Sequence, residues 1–265
     1  MKEVEGNRIT GPLELRDDYT AVIISYSTGV DSTGALAKAL AFSKTLPKTT
    51  KKFLLYCDTG MEYDINLSLF YKVAQAFTLI PVLIQNQKSF MDLLLARQMW
   101  PDMKNRWCTS YLKTGATDKW IRANRNILGE RMLFITGERR DESPRRAKYP
   151  ELDWHSTTLK TERVGRFIAH WYRPVLDYEK GKMFEYGKGL GIDPHPCYEY
   201  VSRCSCMFCI FMPNRHTVEN MRNHPAEAKK WIQAELKIGH TWKKGQSLNQ
   251  LWNENCEDVP MEIVV

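Results

Sequence analysis

The chain has 265 residues, 43% hydrophobic and 26% charged, the balance of a folded globular protein rather than a disordered or fibrous one. Its 38 Lys and Arg against 31 Asp and Glu give a net charge of +7, which suits a phosphate-rich partner without requiring a nucleic acid. No apolar run approaches a membrane span, and Met1-Lys2-Glu3-Val4-Glu5-Gly6 lacks the apolar core of a signal peptide, so a cytoplasmic protein with no membrane partner is expected.

Apolar runs and periodicity predict a strand over 20–26, a helix over 31–45 and a strand over 52–57. Helical spacing follows over 65–77, then a strand over 79–84 and a helix over 91–100. A long amphipathic helix over 111–128 leads to a strand over 132–136. This alternation implies an α/β fold, a mostly parallel doubly wound sheet covered on both faces. Ligands of such folds bind at the carboxyl ends of strands, where strand order reverses.

After Pro150 the pattern changes. Strands over 158–164 and 167–174 suggest a hairpin around Gly165, followed by a short helix over 182–190. A Cys-rich loop spans 194–213, helices are expected over 218–222 and 226–236, and the tail, 244–265, has only weak periodicity. The expected division is a nucleotide-binding core over 1–150. Its continuation over 151–265 would carry the hairpin, the Cys-rich loop and a helical tail packed on the core.

Ser27-Thr28-Gly29-Val30-Asp31-Ser32 joins the first strand to the first helix. Such a loop aims backbone N–H groups and a helix N-terminus at an anion, with Gly29 allowing close approach and Asp31 suited to Mg²⁺. The Walker pattern is absent, which excludes an ordinary P-loop NTPase. Asp58-Thr59-Gly60-Met61-Glu62 ends the second strand, and Gly137-Glu138-Arg139-Arg140-Asp141-Glu142-Ser143-Pro144-Arg145 follows the fourth. Asp58 is either a ligand contact or a turn aspartate. Arg139, Arg140, Arg145 and Arg146 are forks suited to phosphate or sulfate, or a self-paired solvated loop. Lys113 and Arg106 are further cations that either face the anion or face water.

Seven cysteines without a secretory context point to metal or catalysis rather than disulfides. Cys206 and Cys209 have metal-binding spacing, Cys197 and Cys204 lie in the same loop, and Cys108 comes from a distant segment. Four of these five suit a [4Fe–4S] cluster or Zn²⁺; a structural zinc site would use Cys197, Cys204, Cys206 and Cys209. Cys57 sits in an apolar strand and reads as core. His195 and His216 flank the loop, either as ligands or in turn and surface roles. Trp107, Trp154, Trp171 and Trp242 either stack on a base or pack.

Together, the loop at 27–32, Asp58-Thr59-Gly60-Met61-Glu62, Arg106-Trp107-Cys108-Thr109, Gly137-Glu138-Arg139 with Glu142-Ser143, and Arg203 with Cys206 and Cys209 resemble the PAPS reductase family. That family lies within the PP-loop ATP pyrophosphatases of HUP-like fold and is related to the DNA phosphorothioation sulfurtransferase. Thr28 stands where the family usually has Gly. The resemblance implies an adenine nucleotide, ATP or PAPS, with Mg²⁺, held by Ser25, Ser27, Thr28, Gly29, Asp31, Ser32, Asp58, Gly60, Gly137 and Arg139. It implies catalytic roles for Asp31, Ser32 and Arg139. It favours Cys108, Cys197, Cys206 and Cys209 as ligands of a [4Fe–4S] cluster, with Cys204 as substitute for Cys197 and Zn²⁺ as the alternative metal.

The activity so implied is cleavage of ATP between its α and β phosphates, adenylation of a substrate and sulfur transfer. A nucleic acid would be the acceptor and a sulfur-donor protein such as a cysteine desulfurase a partner. One alternative is a PAPS or APS reductase releasing sulfite. It would need a mobile thiol such as Cys256, whose Glu254-Asn255-Cys256-Glu257-Asp258 context departs from the reductase element. The other is a non-enzymatic, zinc-containing nucleotide-binding or nucleic-acid-binding module.

Overall fold

The computed structural model describes residues 13–159, 167–256 and 259. The chain forms two compact units. The first takes the described residues up to Tyr56 with Ile65–Ile84 and Thr117–Pro194; the second takes Cys57–Asp64, Gln85–Ala116 and the described residues from His195 onward.

The first unit is built on a six-stranded sheet. Its strands are β1 (Ala21–Ser25), β2 (Lys51–Asp58), β3 (Ile80–Gln85), β4 (Arg131–Ile135), β5 (Leu152–Trp154) and β6 (Ile168–Tyr172), in the order β3-β2-β1-β4-β6-β5. β1 pairs parallel with β2 on one side and with β4 on the other, through Ile23↔Phe53 and Ile23↔Phe134. β4 pairs parallel with β6, and only β5 runs antiparallel, against β6. Because β1 feeds β2 on one side and adjoins β4 on the other, the strand order reverses between β1 and β4.

Both faces of the central strands are buried. Ala21, Val22, Ile23 and Ile24 have 0% exposure, as do Met132, Leu133 and Ile135. Continuous apolar strands are what a sheet covered on both faces requires. The covering helices include α1 (Val30–Phe42), whose Ala35, Leu36 and Ala39 are fully buried, and α2 (Ile65–Ala76), which buries Phe70, Val73 and Ala74. The predicted strands and helices of this unit match the observed ones to within one residue through β3, except that the helix expected to reach 45 ends at Phe42 and closes in a 3₁₀ turn, Ser43–Thr45.

Helix α3 (Phe90–Arg97) belongs to the second unit and starts at Ser89, whose hydroxyl accepts from Asp92 N while the Asp92 carboxylate accepts from Ser89 N, a capping box. The helix expected over 111–128 differs. It begins earlier, as α4 (Trp107–Thr109), widens into a π turn over Ser110–Thr114, and continues as α5 (Gly115–Ala123). It breaks at Asn124, whose side-chain amide donates to the Trp120 carbonyl and competes with the helical ladder, before α6 (Arg125–Leu128).

The expected hairpin is also revised. Its second strand is β6, but the antiparallel partner is β5, which pairs Leu152↔Tyr172 and Trp154↔His170. The segment 160–166, including Gly165, lies outside the described residues. Leu159 N donates to Phe167 O, so pairing persists up to that edge. Helix α7 (Lys180–Leu190) ends at Gly191 in the left-handed conformation.

The second unit has its own apolar core, with Trp100, Trp107, Trp231, Trp242, Phe90 and Phe208 among its buried residues. Helix α9 (Pro225–Ile238) falls where expected, with Pro225 opening it at a position where a missing N–H costs nothing, whereas α8 (Asn214–Asn223) starts four residues before the helix expected over 218–222. The tail holds a helix that periodicity missed, α10 (Leu248–Asn255), capped by the Ser247 hydroxyl on Gln250 N and seated through Leu248, Leu251 and Trp252. Among the described residues, no helix is long and apolar enough to cross a membrane.

Candidate functional site

The loop leaving β1 keeps one further ladder bond, Tyr26 N to Leu55 O, and then turns sharply at Thr28. Thr28 has φ +61°, a conformation that a β-branched residue adopts at a cost. The serines set the turn. Ser27 N donates to Ser32 Oγ at 3.1 Å, and Ser32 Oγ donates to Gly29 O at 2.8 Å. Gly29 is extended, and no side chain caps the start of α1. An N-terminus built this way presents backbone donors and the positive end of the helix dipole to an anion. Ser25 stands half-buried at the end of β1.

The segment after β4 meets this helix start. A Cβ at Gly137 would lie 2.3 Å from the Asp31 carbonyl oxygen and 2.8 Å from Ser32 N, so the two backbones touch only because residue 137 is glycine. Two residues on, Arg139 Nε donates to Asp31 Oδ1 at 2.7 Å, and its guanidinium also bonds Asp141. Arg139 is 5% exposed. Burial pushes the Asp31 carboxyl above its ordinary range, and Arg139 opposes that push. Asp31, Ser32, Gly137 and Arg139 therefore converge between β1 and β4.

The neighbouring charges hold the loop. Glu138 accepts from Arg173 Nε at 3.0 Å and from the Thr136 hydroxyl at 2.6 Å. Arg140 pairs with Asp177 and donates to the carbonyls of Ala147 and Tyr149, Arg146 pairs with Glu142, and Arg145 is exposed. Arg140 and Arg146 thus stiffen the loop, whereas Arg139 reaches the phosphate-loop helix.

Asp58 and Gly60 belong to the second unit. Asp58 makes a turn: Oδ1 accepts from Gly60 N at 3.0 Å and Oδ2 from the Gln85 side chain at 2.9 Å. Gly60 has φ +80°. Next along the chain, Glu62 gathers the Thr59 hydroxyl, Thr59 N and Met61 N. Burial alone would raise its pKa, but Lys113 and these donors outweigh it and hold the carboxyl below its usual value.

Lys113, in the π turn, places its ammonium 3.4 Å from Glu62 and 3.5 Å from Cys206 Sγ. Desolvation lowers the lysine pKa, yet Cys206, Glu62 and Cys57 together raise it well above its ordinary value. Burial pushes the Cys206 thiol up to about 12 against the pull of Lys113. Neither Glu62 nor Lys113 was assigned to the thiols from sequence. The signal lay in the Asp-Thr-Gly-x-Glu segment and in the lysine after Cys108, but only the fold brings them to Cys206.

The cysteines divide into two groups. Cys108, Cys206 and Cys209 share one electrostatic neighbourhood: burial raises the Cys108 and Cys206 thiol pKa values, Cys209 adds to both shifts and Cys108 adds to that of Cys206. The Cys197 thiol, the Cys204 thiol and an imidazole nitrogen of His195 lie within 4.8 Å of one another. Among the described residues neither Cys108, Cys206 and Cys209 by themselves nor any set joining Cys197 to them is as compact. Cys57 is half-buried and within the field of Lys113, and Cys256 is fully buried after α10. His216 is buried in α8; Trp107 and Trp242 are buried, with Trp242 donating to Phe208 O, while Trp171 donates to Thr136. Arg106 is exposed and lies over the Phe211 ring at 4.8 Å.

A mostly parallel α/β sheet with an uncapped, glycine-entered helix and a buried arginine at its reversal point has the form of an anion-binding site at the switch point of a doubly wound fold. The chain belongs to the phosphoadenosine phosphosulfate reductase domain family, whose description matches residues 21–209. It is 29% identical over 160 residues to an uncharacterised 37.8 kDa protein of Escherichia phage 186, and that match covers 60% of this chain and 46% of the relative. The chain thus spans less than half of that relative's length. Similar solved structures include the PAPS reductase of Candida auris in a phosphate complex, with TM-score 0.42, 15% identity, and coverage of 71% of this chain and 81% of that one. Another is the U34-tRNA thiolase NcsA of Methanococcus maripaludis with its [4Fe-4S] cluster, with TM-score 0.42, 10% identity, and coverage of 94% and 76%.

Proposed function

We propose that this chain binds Mg-ATP at the β1–β4 edge, cleaves it between the α and β phosphates to adenylate an acceptor, and thereby enables sulfur transfer to that acceptor. The observation that carries this reading is the convergence of the uncapped α1 N-terminus, Asp31 and the buried Arg139 beside Gly137. Backbone donors of the helix start would hold the departing pyrophosphate, with the Ser27 hydroxyl adding to them, and that of Ser32 once it turns from Gly29 O. Asp31 would exchange Arg139 for Mg²⁺, releasing the guanidinium to a phosphate oxygen. An acceptor oxygen attacks the α phosphorus, the α–β bridging bond breaks, and pyrophosphate carries the electron pair away. A sulfur nucleophile then displaces AMP.

Cys108, Cys206 and Cys209, with the Lys113 ammonium beside Cys206, would hold an iron–sulfur cluster; their mutual electrostatic influence supports this reading. When bound, such a cluster supplies a site that holds or delivers sulfur. Lys113 would stabilise the Cys206 thiolate, and Glu62 would fix Lys113. A nucleic acid is the proposed acceptor class and a cysteine desulfurase the proposed sulfur source, in keeping with the net charge of +7. A sulfite-releasing reductase is not favoured, because Cys256 is fully buried rather than held on an exposed arm. The test is pyrophosphate release from Mg-ATP by the anaerobically purified chain with RNA or DNA as acceptor. Release of AMP and pyrophosphate in step with acceptor sulfur supports the reading. Sulfite from PAPS, with no ATP turnover, overturns it.

A further inference from the structure

We infer that His195, Cys197 and Cys204 form a second metal centre, a zinc-type site separate from the thiols of Cys108, Cys206 and Cys209. The three ligand atoms lie within 4.8 Å of one another. Tetrahedral Zn²⁺ spaces sulfur and nitrogen ligands by about 3.5–3.8 Å, so a small inward movement closes the set. Two thiols and an imidazole are a donor set that selects zinc over the hard cations.

The surroundings are those of a built site. His195 and Cys197 are 3% and 0% exposed. The 3₁₀ turn Pro196–Glu199 fixes both: Cys197 N donates to His195 Nδ1 at 3.1 Å, Tyr198 N to His195 O, and Val201 N to Cys197 O at 2.8 Å. The Tyr63 ring packs on the imidazole with centroids 5.0 Å apart, and its hydroxyl donates to Asn220 at 2.8 Å. Asn220 in turn donates to Met207 O at 2.6 Å, which ties this shell to the stretch between Cys206 and Cys209. Outer partners of this kind orient the ligands of a metal site. Binding would release the two thiol protons to solvent, and a water would complete the tetrahedron. Zinc held here would brace the loop that carries Cys206 and Cys209, without taking part in the reaction.

The test measures metal content of the full chain purified anaerobically, wild type against Cys204→Ser and Cys206→Ser, with zinc and iron counted separately. Cys204 is half-buried, so its serine variant is the milder change. The expected result is about one zinc per wild-type chain, lost in Cys204→Ser and kept in Cys206→Ser. A second measurement does not depend on any variant folding: Co²⁺ added to wild-type protein should give thiolate-to-cobalt charge-transfer bands that Zn²⁺ abolishes. Zinc retained in Cys204→Ser, zinc lost only in Cys206→Ser, or the absence of those bands would each overturn the assignment. So would a Cys197–Cys204 disulfide in the anaerobically isolated chain.

Discussion

Arg139 Nε lies 2.7 Å from Asp31 Oδ1, and this ion pair joins the segment after β4 to the first turn of α1. The arginine side chain is 6% exposed and that of the aspartate 25%, so the pair sits where water competes weakly. A partly desolvated pair at a strand-order reversal suits an anion site better than a stability device, because replacing such pairs by apolar groups is often neutral or stabilising. Asp31→Asn keeps the shape and removes the charge. Its pyrophosphate release should fall by about 10²–10³-fold, the scale of a lost electrostatic contact to developing charge, with the fold intact by circular dichroism. Activity within about tenfold of wild type would count against the role given to Asp31.

Gly137→Ala should damage the same place by contact rather than charge. Its methyl would sit 2.3 Å from the Asp31 carbonyl oxygen, a backbone atom of a packed helix that cannot swing aside. The expected cost is about 1–3 kcal/mol, read as a lower denaturation midpoint, with weaker Mg-ATP binding. Normal stability together with normal affinity would show that the two backbones do not meet as described.

Thr28→Gly should behave in the opposite way. The left-handed conformation at φ +61° costs a non-glycine residue about 1–3 kcal/mol, whereas glycine loses about 0.5–1 kcal/mol more chain entropy on folding. The net expectation is unchanged or slightly higher thermal stability with ATP affinity retained. Thr28→Val keeps the strain and removes the hydroxyl bond to Ser27 O, so it should melt below both.

Lys113→Met should separate the two chemistries. It removes the ammonium beside Cys206 and Glu62, all three in the second unit, and leaves every residue of the phosphate loop unsubstituted. Iron content and sulfur transfer should fall by at least about tenfold while Mg-ATP affinity is unchanged. Loss of ATP binding in this variant would contradict the division of roles.

Stability should also depend on pH through His155. Burial lowers its pKa from 6.5 to about 4 in the folded chain, against the pull of Asp118. The unfolded chain then binds more protons between those values, so stability is full above pH 6.5, falls as pH drops toward 4, and levels off below. The slope from this group reaches about 1.4 kcal/mol per pH unit. Denaturant midpoints across that window should fall less steeply in His155→Gln.

The α/β core was legible because its strands are unbroken apolar runs, such as Ala21 to Ile24, and its helices keep a 3.6-residue period. The phosphate loop was legible because its chemistry is local. What escaped was set by tertiary contacts. α10 has only eight residues, so its apolar stripe is the three positions Leu248, Leu251 and Trp252, and it depends on the Ser247 cap and their burial. β5 has three residues, too few to carry a pattern, and is defined by its partner β6. The meeting of Glu62, Lys113 and Cys206, and of His195, Cys197 and Cys204, joins residues whose separation along the chain reaches 144 positions in the first set. Spacing could nominate the cysteines but not sort them into two groups.

The most direct test of the nucleotide site is calorimetric titration of the wild-type chain and of Asp31→Asn with ATP, APS and PAPS, each with Mg²⁺. Mg-ATP should bind the wild type saturably and Asp31→Asn at least about tenfold more weakly, a loss of about 1.4 kcal/mol. Equal ATP affinity in the two proteins, or binding of PAPS or APS but not ATP, would contradict the proposed Mg-ATP site.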